Sequence, residues 1–302
     1  MDKTMKKWLC LAVLLCVVGG LIFAMAMTLN AWDFTRLSTT EYETNIHEVT
    51  EDFNSITVDT DTADIVFLPA TDGKCKVVCY ESEKMKHTVA VENGCLKIRV
   101  QNEKMWYDYI GISWESETVT VYLPKSDYAA LTVTGATSDV DVAKDFSFES
   151  ADVEVSTGDV RCKAATVGNL SVTVSTGDIF LDGATAKDVT VQSSTGRVWL
   201  KNITAASVFA ETSTGDVLLD GVILSGTLSV TVSTGDVVFD GSDAGEIAVA
   251  TATGDVRGTL LSGKNFETET GTGIVSVPEN SSGGKCKIET GTGDIDIAVA
   301  PQ

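Results

Sequence analysis

The residues best suited to chemistry in this sequence are aspartates that recur at a fixed spacing. Six of them directly follow a glycine in a repeated phrase, namely Asp159, Asp178, Asp216, Asp236, Asp255 and Asp294. If the phrases stack as parallel strands, neighbouring carboxylates lie about 5 Å apart and repel one another. A divalent cation would relieve that repulsion, and Ca²⁺ prefers oxygen ligands of this kind. The spacing therefore defines a candidate Ca²⁺-binding column.

A turn role competes with cation binding at these aspartates. Asp side chains accept hydrogen bonds from nearby backbone N–H groups in tight turns. Arg197 and Ile274 interrupt the column, and the nine-residue Gly-Gly-x-Gly-x-Asp calcium repeat is absent. These interruptions favour the turn role. We expect Arg197 to relieve charge between Asp178 and Asp216, one rung away on either side.

A second candidate is a short aromatic segment in a chain that is otherwise poor in aromatic residues. Its members that could contact a partner are Trp106, Tyr107, Tyr109 and Trp114. Aromatic side chains with a polar handle are common where proteins meet other proteins or sugars. Alternatively, the segment folds over an open end of the molecule and fills it.

Catalysis has little support in the sequence. The two histidines, His47 and His87, lie outside the repeats, and neither has a nucleophile motif or a His-rich metal spacing around it. The repeats also follow one another without long loops that could wall a substrate cleft. We therefore expect no enzyme activity, and no cofactor other than the candidate Ca²⁺.

The element that must position these residues is a repeat of 19 or 20 residues. Its glycines are Gly158, Gly177, Gly196, Gly215, Gly235, Gly254, Gly273 and Gly293, and a threonine precedes each of them. A unit this short cannot enclose a core, so its apolar face is covered only when the next unit stacks on it. The sequence predicts an all-β, single-domain β-solenoid, a parallel β-helix whose rungs stack in chain order.

Alternating apolar residues flank each glycine and mark two strands per rung. Around Gly177 they run through Leu170-x-Val172-x-Val174 and Ile179-x-Leu181. Cys162 falls in the column occupied by leucine in later rungs, which predicts a buried core thiol. Degenerate rungs are recognisable at residues 131–142 and 56–65, and Asn93-Gly94 predicts a hairpin in an N-terminal β cap.

The chain begins with a short basic tail followed by an apolar run that is long enough to cross a bilayer. The basic flank predicts a cytoplasmic N-terminus with the bulk of the chain outside the cytoplasm. A cleaved signal peptide is the alternative, because Ala24-Met25-Ala26 resembles a cleavage site. The length of the run favours an uncleaved, single-pass anchor in the cell membrane.

The predicted organisation has five parts. In chain order they are a cytoplasmic basic tail (1–7), a transmembrane anchor (8–29), a polar juxtamembrane spacer (30–52), an N-terminal β cap with the first rungs (53–130) and the repeat β-solenoid (131–302).

The net charge of the chain limits the classes of partner that it could bind. The net charge of −21 disfavours nucleic acid and anionic lipid headgroups and favours cations or a positively charged partner.

The exported part carries five cysteines, an odd number, and Cys75 and Cys79 are too far apart along one strand to bridge. No disulfide framework is predicted.

Several features together resemble the bacterial "putative adhesin" family of membrane-anchored β-solenoid proteins, formerly a domain of unknown function found among envelope-stress genes. They are the basic start, the apolar segment, Phe53-x-x-Ile56 at the end of a polar stretch, a Leu-Pro pair before the repeats and the Ser-Thr-Gly-Asp-Val rungs. The resemblance covers roughly residues 50–300. It implies the solenoid fold and an envelope location, and it supplies no agreed catalytic residues.

The function predicted from these features is a non-enzymatic extracytoplasmic envelope protein that acts as an adhesion or interaction module, or as an accessory of an envelope-stress response. Its expected contacts are the membrane, through the N-terminal helix, and a protein or cell-wall polymer. A regulatory partner of a membrane protein and a purely structural spacer are the alternatives. Rigid rungs would present outward side chains at fixed spacing, which suits multivalent contacts.

Overall fold

The structure is a computed structural model that describes residues 3–29, 31–32, 40–109, 115–164, 166–279 and 282–301. Its helix α1 spans Lys3–Leu29. The stretch Met5–Leu29 is long and apolar enough to cross a membrane, and most of its side chains are exposed, with Met27 as a buried exception. A signal sequence close to an N-terminus would meet the same criterion of length and composition.

Seven strands come before the repeats. They are β1 (Tyr42–Val49), β2 (Ser55–Thr60), β3 (Asp64–Pro69), β4 (Cys75–Ser82), β5 (Met85–Glu92), β6 (Cys95–Asn102) and β7 (Thr118–Leu123).

Twenty further strands follow within the described residues. They are β8 (Asp127–Thr137), β9 (Val140–Val142), β10 (Ser147–Thr157), β11 (Val160–Cys162), β12 (Thr166–Thr176), β13 (Ile179–Asp182), β14 (Thr185–Thr195), β15 (Val198–Lys201), β16 (Thr204–Ala205), β17 (Ser207–Thr214), β18 (Val217–Asp220), β19 (Ile223–Leu224), β20 (Thr227–Thr234), β21 (Val237–Ser242), β22 (Glu246–Thr253), β23 (Val256–Leu260), β24 (Asn265–Thr272), β25 (Val275–Ser276), β26 (Lys285–Thr292) and β27 (Ile295–Val299).

These strands build the predicted β-solenoid. Each rung places one strand on a long face, made by β8, β10, β12, β14, β17, β20, β22, β26 and β24, and one on a short face, made by β9, β11, β13, β15, β18, β21, β23, β27 and β25. Neighbouring strands on each face are parallel and in register, so that Val153, Val172 and Val191 form one inward column. Cys162 is buried in the column of Leu181, as predicted.

The corner between the two faces explains the invariant glycine of the repeat. Gly177 has a φ of 143°, and a Cβ at this position would collide with the carbonyl oxygen of Gly158 in the rung below. Its N–H donates to the carbonyl of Thr195 in the rung above at 2.9 Å. A side chain would therefore strain the backbone and separate the rungs, so only glycine fits.

The N-terminal cap continues both faces and then turns antiparallel. β2 and β3 form a rung beside β8 and β9, and β6 and β7 lie outside that rung. β4 pairs antiparallel with β7, and β5 pairs antiparallel with β6. The predicted hairpin is present at Asn93-Gly94, where both residues have positive φ.

Part of the predicted polar spacer is instead a strand. β1 pairs antiparallel with β4 along its whole length, from Tyr42 opposite Ser82 to Val49 opposite Cys75. Its side chains are polar because it is an edge strand with few buried positions, and this composition hides the strand in the sequence. The rings of Tyr42 and Tyr80 stack with centroids 5.3 Å apart.

The prediction that all rungs stack in chain order is wrong at the C-terminal end. On the long face β26 lies between β22 and β24, and on the short face β27 lies between β23 and β25. The last rung of the sequence is therefore covered on both sides. We call β24 and β25 the terminal rung, because they form the end of the solenoid.

Candidate functional site

The aspartate column forms a hydrogen-bonded ladder between rungs. The Oδ1 of each aspartate accepts the backbone N–H of the equivalent residue in the neighbouring rung, as in Asp178 to Asp159 and Asp255 to Asp236, at 2.8 and 2.9 Å. All six predicted aspartates accept such a bond, at distances of 2.7–2.9 Å. The side chains thus satisfy N–H groups that the strands leave unpaired at the corner.

Arginines neutralise part of this ladder through the other carboxylate oxygen. Arg197 contacts Oδ2 of Asp178 at 2.8 Å, Arg161 contacts Asp159 at 2.7 Å, and Arg257 contacts Asp236 at 3.1 Å. Burial raises the pKa of Asp178, but the N–H and guanidinium of Arg197 outweigh it and hold this pKa below its usual value. These bonds join neighbouring rungs instead of closing a local turn, and both the turn role and Ca²⁺ binding to the column stay predictions.

A feature that the sequence analysis misses is an apolar stripe on the outside of the short face. It consists of four residues in register on consecutive rungs, Phe180, Trp199, Leu218 and Val238. Outward positions of a solenoid are normally polar because they face water. Here Trp199 is 40% exposed, and its ring meets that of Phe180 edge-on with centroids 5.1 Å apart.

Basic residues frame the apolar stripe. Arg161 precedes Phe180 in the same register column, and Arg257 follows Val238. Together with Arg197, they are all the arginines of residues 131–302. Lys201 lies 5.6 Å from the centre of the Trp199 ring. A groove of about 290 Å³ runs between these side chains, lined by Asp159, Arg161, Asp178, Phe180, Arg197 and Trp199.

The predicted aromatic segment is only partly described. Trp106, Tyr107 and Tyr109 belong to a 3₁₀ helix, Trp106–Tyr109, whereas Trp114 lies outside the described residues. Trp106 is 74% exposed, so its side chain does not fill the end of the solenoid. The helix is tied to the cap by Lys84, which contacts Asp108 at 2.6 Å.

The cap contains a buried polar cluster that sequence reasoning also misses. The Nδ1 of His87 lies 2.8 Å from Oε2 of Glu81, and the Nε2 lies 3.0 Å from the hydroxyl of Thr60. The thiol of Cys79 completes the group. The alternation Cys79-x-Glu81 on one strand, followed by a histidine after a turn, is the signal that could have indicated it.

Comparison with protein families identifies one match. The family described as Toastrack DUF4097 matches residues 53–240 and 185–301. These ranges together contain the cap strands after β1 and every rung of the solenoid. A comparison with curated proteins finds no match.

Comparison with solved structures finds matches at low sequence identity. A "putative lipid binding protein" from Parabacteroides distasonis is 13% identical, with 86% of this chain and 98% of that chain covered and a TM-score of 0.53. A "putative adhesin" from Bacteroides fragilis is 16% identical, with 85% and 97% covered and a TM-score of 0.47. A "putative cell adhesion protein" from Clostridium sporogenes is 12% identical, with 86% and 100% covered and a TM-score of 0.30.

Proposed function

Because the chain belongs to the Toastrack DUF4097 family, we propose that its solenoid is a non-enzymatic binding module with an adhesin-like role, held at the outer side of the cytoplasmic membrane by α1. Lys3, Lys6 and Lys7 before the apolar run support a cytoplasmic N-terminus. The solenoid would then stand in the cell envelope.

The observation that carries this proposal is the apolar stripe with its arginine frame. Trp and Arg are the residues that most often supply binding energy at protein interfaces, and effective contacts have an apolar centre with charged residues around it. The stripe has this composition, with Trp199 near its middle and ion-paired arginines at its edges. It is also rigid, because each of its residues is fixed by a parallel strand on both sides.

The partner that fits is a protein surface with an apolar centre and basic residues around it. The net charge of −21 would attract such a partner over long range, and it disfavours anionic polymers. The arginines of the stripe would attract an anionic partner only weakly, because the positive charge of each is already balanced by an aspartate of the ladder.

The test is a crosslinking capture from detergent-solubilised envelopes with the full-length protein. Trp199→Ala should lose the partner that wild type enriches, whereas Phe209→Ala, a comparably exposed aromatic on the long face, should retain it. Equal capture by both variants would refute the role of the stripe. Binding of the wild type to isolated cell-wall polymer, with loss in Trp199→Ala, would replace the protein partner by a glycan.

A second candidate function is a regulatory contact with a membrane protein through the cap, as part of an envelope-stress response. It is favoured by one observation, the strong exposure of Trp106 beside the cap. Trp106→Ala in the same capture experiment separates the two functions. If this variant loses the partner while Trp199→Ala keeps it, the cap and not the stripe is the binding surface.

A further inference from the structure

The buried cluster in the cap combines three side chains of the types that bind transition metals. Cys79 and Glu81 are two residues apart on β4 and therefore project from the same side of the strand. His87 lies on β5, directly after the turn that follows β4. The sulfur, a carboxylate oxygen and a ring nitrogen all lie within 4.8 Å of one another, and all three residues are buried.

We propose that Cys79, Glu81 and His87 form a binding site for Zn²⁺. Thiolate sulfur, imidazole nitrogen and carboxylate oxygen are the ligands of zinc in proteins, whereas Ca²⁺ and Mg²⁺ take oxygen ligands. Among the residues that the structure describes, no fourth Cys, His, Asp or Glu joins the group. A water molecule would complete the tetrahedron.

The surroundings of the cluster match those of a metal-binding histidine. Such a histidine binds the metal through one ring nitrogen and donates the N–H of the other to an oxygen, which fixes its orientation. Here Nδ1 faces the cluster, and Nε2 is 3.0 Å from the hydroxyl of Thr60. The carboxylate is also held, because Asn45 donates to Oε1 of Glu81 at 2.8 Å.

The geometry requires only a small adjustment. Ligand atoms around tetrahedral zinc lie about 3.3 Å apart for bonds of about 2.0 Å. The Nδ1 of His87 and Oε2 of Glu81 are 2.8 Å apart, so they must separate by about half an ångström to admit the ion. Both residues belong to the β4–β5 hairpin, which has only a two-residue turn between its strands.

Charge balance also favours the site. Binding requires Cys79 as the thiolate, whose proton leaves to solvent, and His87 as a neutral imidazole with its proton on Nε2. One thiolate and one carboxylate then neutralise Zn²⁺, so the buried cluster has no net charge. A buried charge that is left unpaired is costly, whereas a neutral cluster of this kind is tolerated. The ion would connect β4 and β5 in the N-terminal cap and would bind as the cap folds.

The test uses the full-length protein, refolded in detergent with Co²⁺ as a spectroscopic probe and with Zn²⁺ for stoichiometry. We expect one metal ion per chain and a thiolate-to-cobalt charge-transfer band. Cys79→Ser should abolish the band, and His87→Gln should weaken affinity at least tenfold. Cys75→Ser is the matched control, because Cys75 is a buried thiol on the same strand outside the cluster.

Three outcomes would overturn the proposal. They are a wild type that takes up neither metal, a charge-transfer band that persists in Cys79→Ser, and a band that Cys75→Ser removes as well. If Cys79→Ser fails to fold, the wild type decides the question alone. Addition of a chelator should then lower its melting temperature, and Zn²⁺ should restore it. An unchanged melting temperature would count against the site.

Discussion

Asp294 donates its backbone N–H to Oδ1 of Asp255 at 2.8 Å, although the rung that contains Ile274 lies between them in the sequence. Ile274 in turn donates to Asp294 at 2.7 Å. The order along the solenoid is therefore Asp255, Asp294, Ile274. The rung inserted between them places buried Ile288 and Ile295 at positions where the terminal rung has Thr268 and Val275. The more apolar rung occupies the covered position, which maximises apolar burial.

Engineered disulfides test this order. Thr253 pairs with Thr292, and Thr292 pairs with Thr272, so each pair lies on adjacent strands about 4.8 Å apart. Thr253 and Thr272 are two strands apart, about 10 Å, which exceeds the reach of a disulfide. We expect Thr253→Cys/Thr292→Cys to crosslink on mild oxidation and Thr253→Cys/Thr272→Cys to stay reduced. Peptide mapping by mass spectrometry distinguishes the two, and the reverse result would restore chain order.

The repeat itself could be predicted because its signals are local. The glycine corner and the alternating valines and leucines around Gly177 fix both strands of a rung and the inward side of each. Rung order could not be predicted in this way. All rungs offer nearly the same row of backbone hydrogen-bonding groups to a neighbour, so these groups do not determine which rung stacks on which. The order depends instead on which rung is left at the end of the solenoid with its apolar side chains uncovered.

The candidate sites could be predicted only where the periodicity marks them. The aspartates follow the period, and their partners in neighbouring rungs follow from it. Trp199 and Phe180 sit at outward positions, where a single sequence gives no reason to connect them until the register is known. Glu81 and His87 come together because β4 and β5 fold as a hairpin, and the tight turn between them carries no strong sequence signal.

Replacing the corner glycine of the inserted rung should be strongly destabilising. In Gly293→Ala the new Cβ would collide with the carbonyl oxygen of Gly254. The φ of 151° at Gly293 is also one that residues with a Cβ rarely adopt, so either the backbone or the rung must move. We expect a loss of at least about 3 kcal/mol in the free energy of unfolding, measured by denaturant titration. Gly183→Ala is the control, because Gly183 has positive φ but open space around it and should lose about 1 kcal/mol. Similar losses in the two variants would show that steric contact between rungs contributes little.

Ser193 offers a route to higher stability. Its hydroxyl is buried in an inward column, and within the described residues it has no hydrogen-bond partner. Its neighbours in the column are Val174 and Thr212, and the latter donates to the carbonyl of Gly196 at 3.3 Å. Ser193→Val should add about 1 kcal/mol, because it removes an unsatisfied polar group and adds apolar volume. Differential scanning calorimetry should show a higher melting temperature, with no gain in the control Thr212→Val. A lower melting temperature in Ser193→Val would mean that the cavity cannot accept the methyl groups.

The ion pair between Asp178 and Arg197 should make stability depend on pH. The pKa of Asp178 lies below its usual value in the folded chain, so its contribution is present above the unfolded pKa and is lost as the pH falls through the folded value. Both side chains are partly exposed, so screening by solvent keeps the effect small. Asp178→Asn should melt lower than wild type at pH 7, and this difference should shrink as the pH falls from 3.8, the ordinary pKa of the carboxyl group, to 2.5. Asp152→Asn, at an exposed position of the long face, should match wild type at both pH values. A difference that does not shrink between pH 7 and pH 2.5 would assign the effect to the hydrogen bond instead of the charge.

The core thiols should resist alkylation until the solenoid unfolds. Burial raises the pKa of Cys162 to about 11 and that of Cys286 to about 12, from an ordinary value of 9.0. The thiolate is the form that reacts, and at pH 8 the thiolate fraction falls tenfold for each unit by which the pKa rises. Cys162 should therefore react at least about 100-fold more slowly in the folded chain than in the unfolded chain. The same shift stabilises the fold below pH 9, a contribution that is lost as the pH rises towards 11 or 12. Peptide-resolved iodoacetamide labelling, with and without denaturant, measures the ratio. Rapid labelling of Cys162 in the folded chain would show that this rung opens to solvent, which is incompatible with a tightly stacked solenoid.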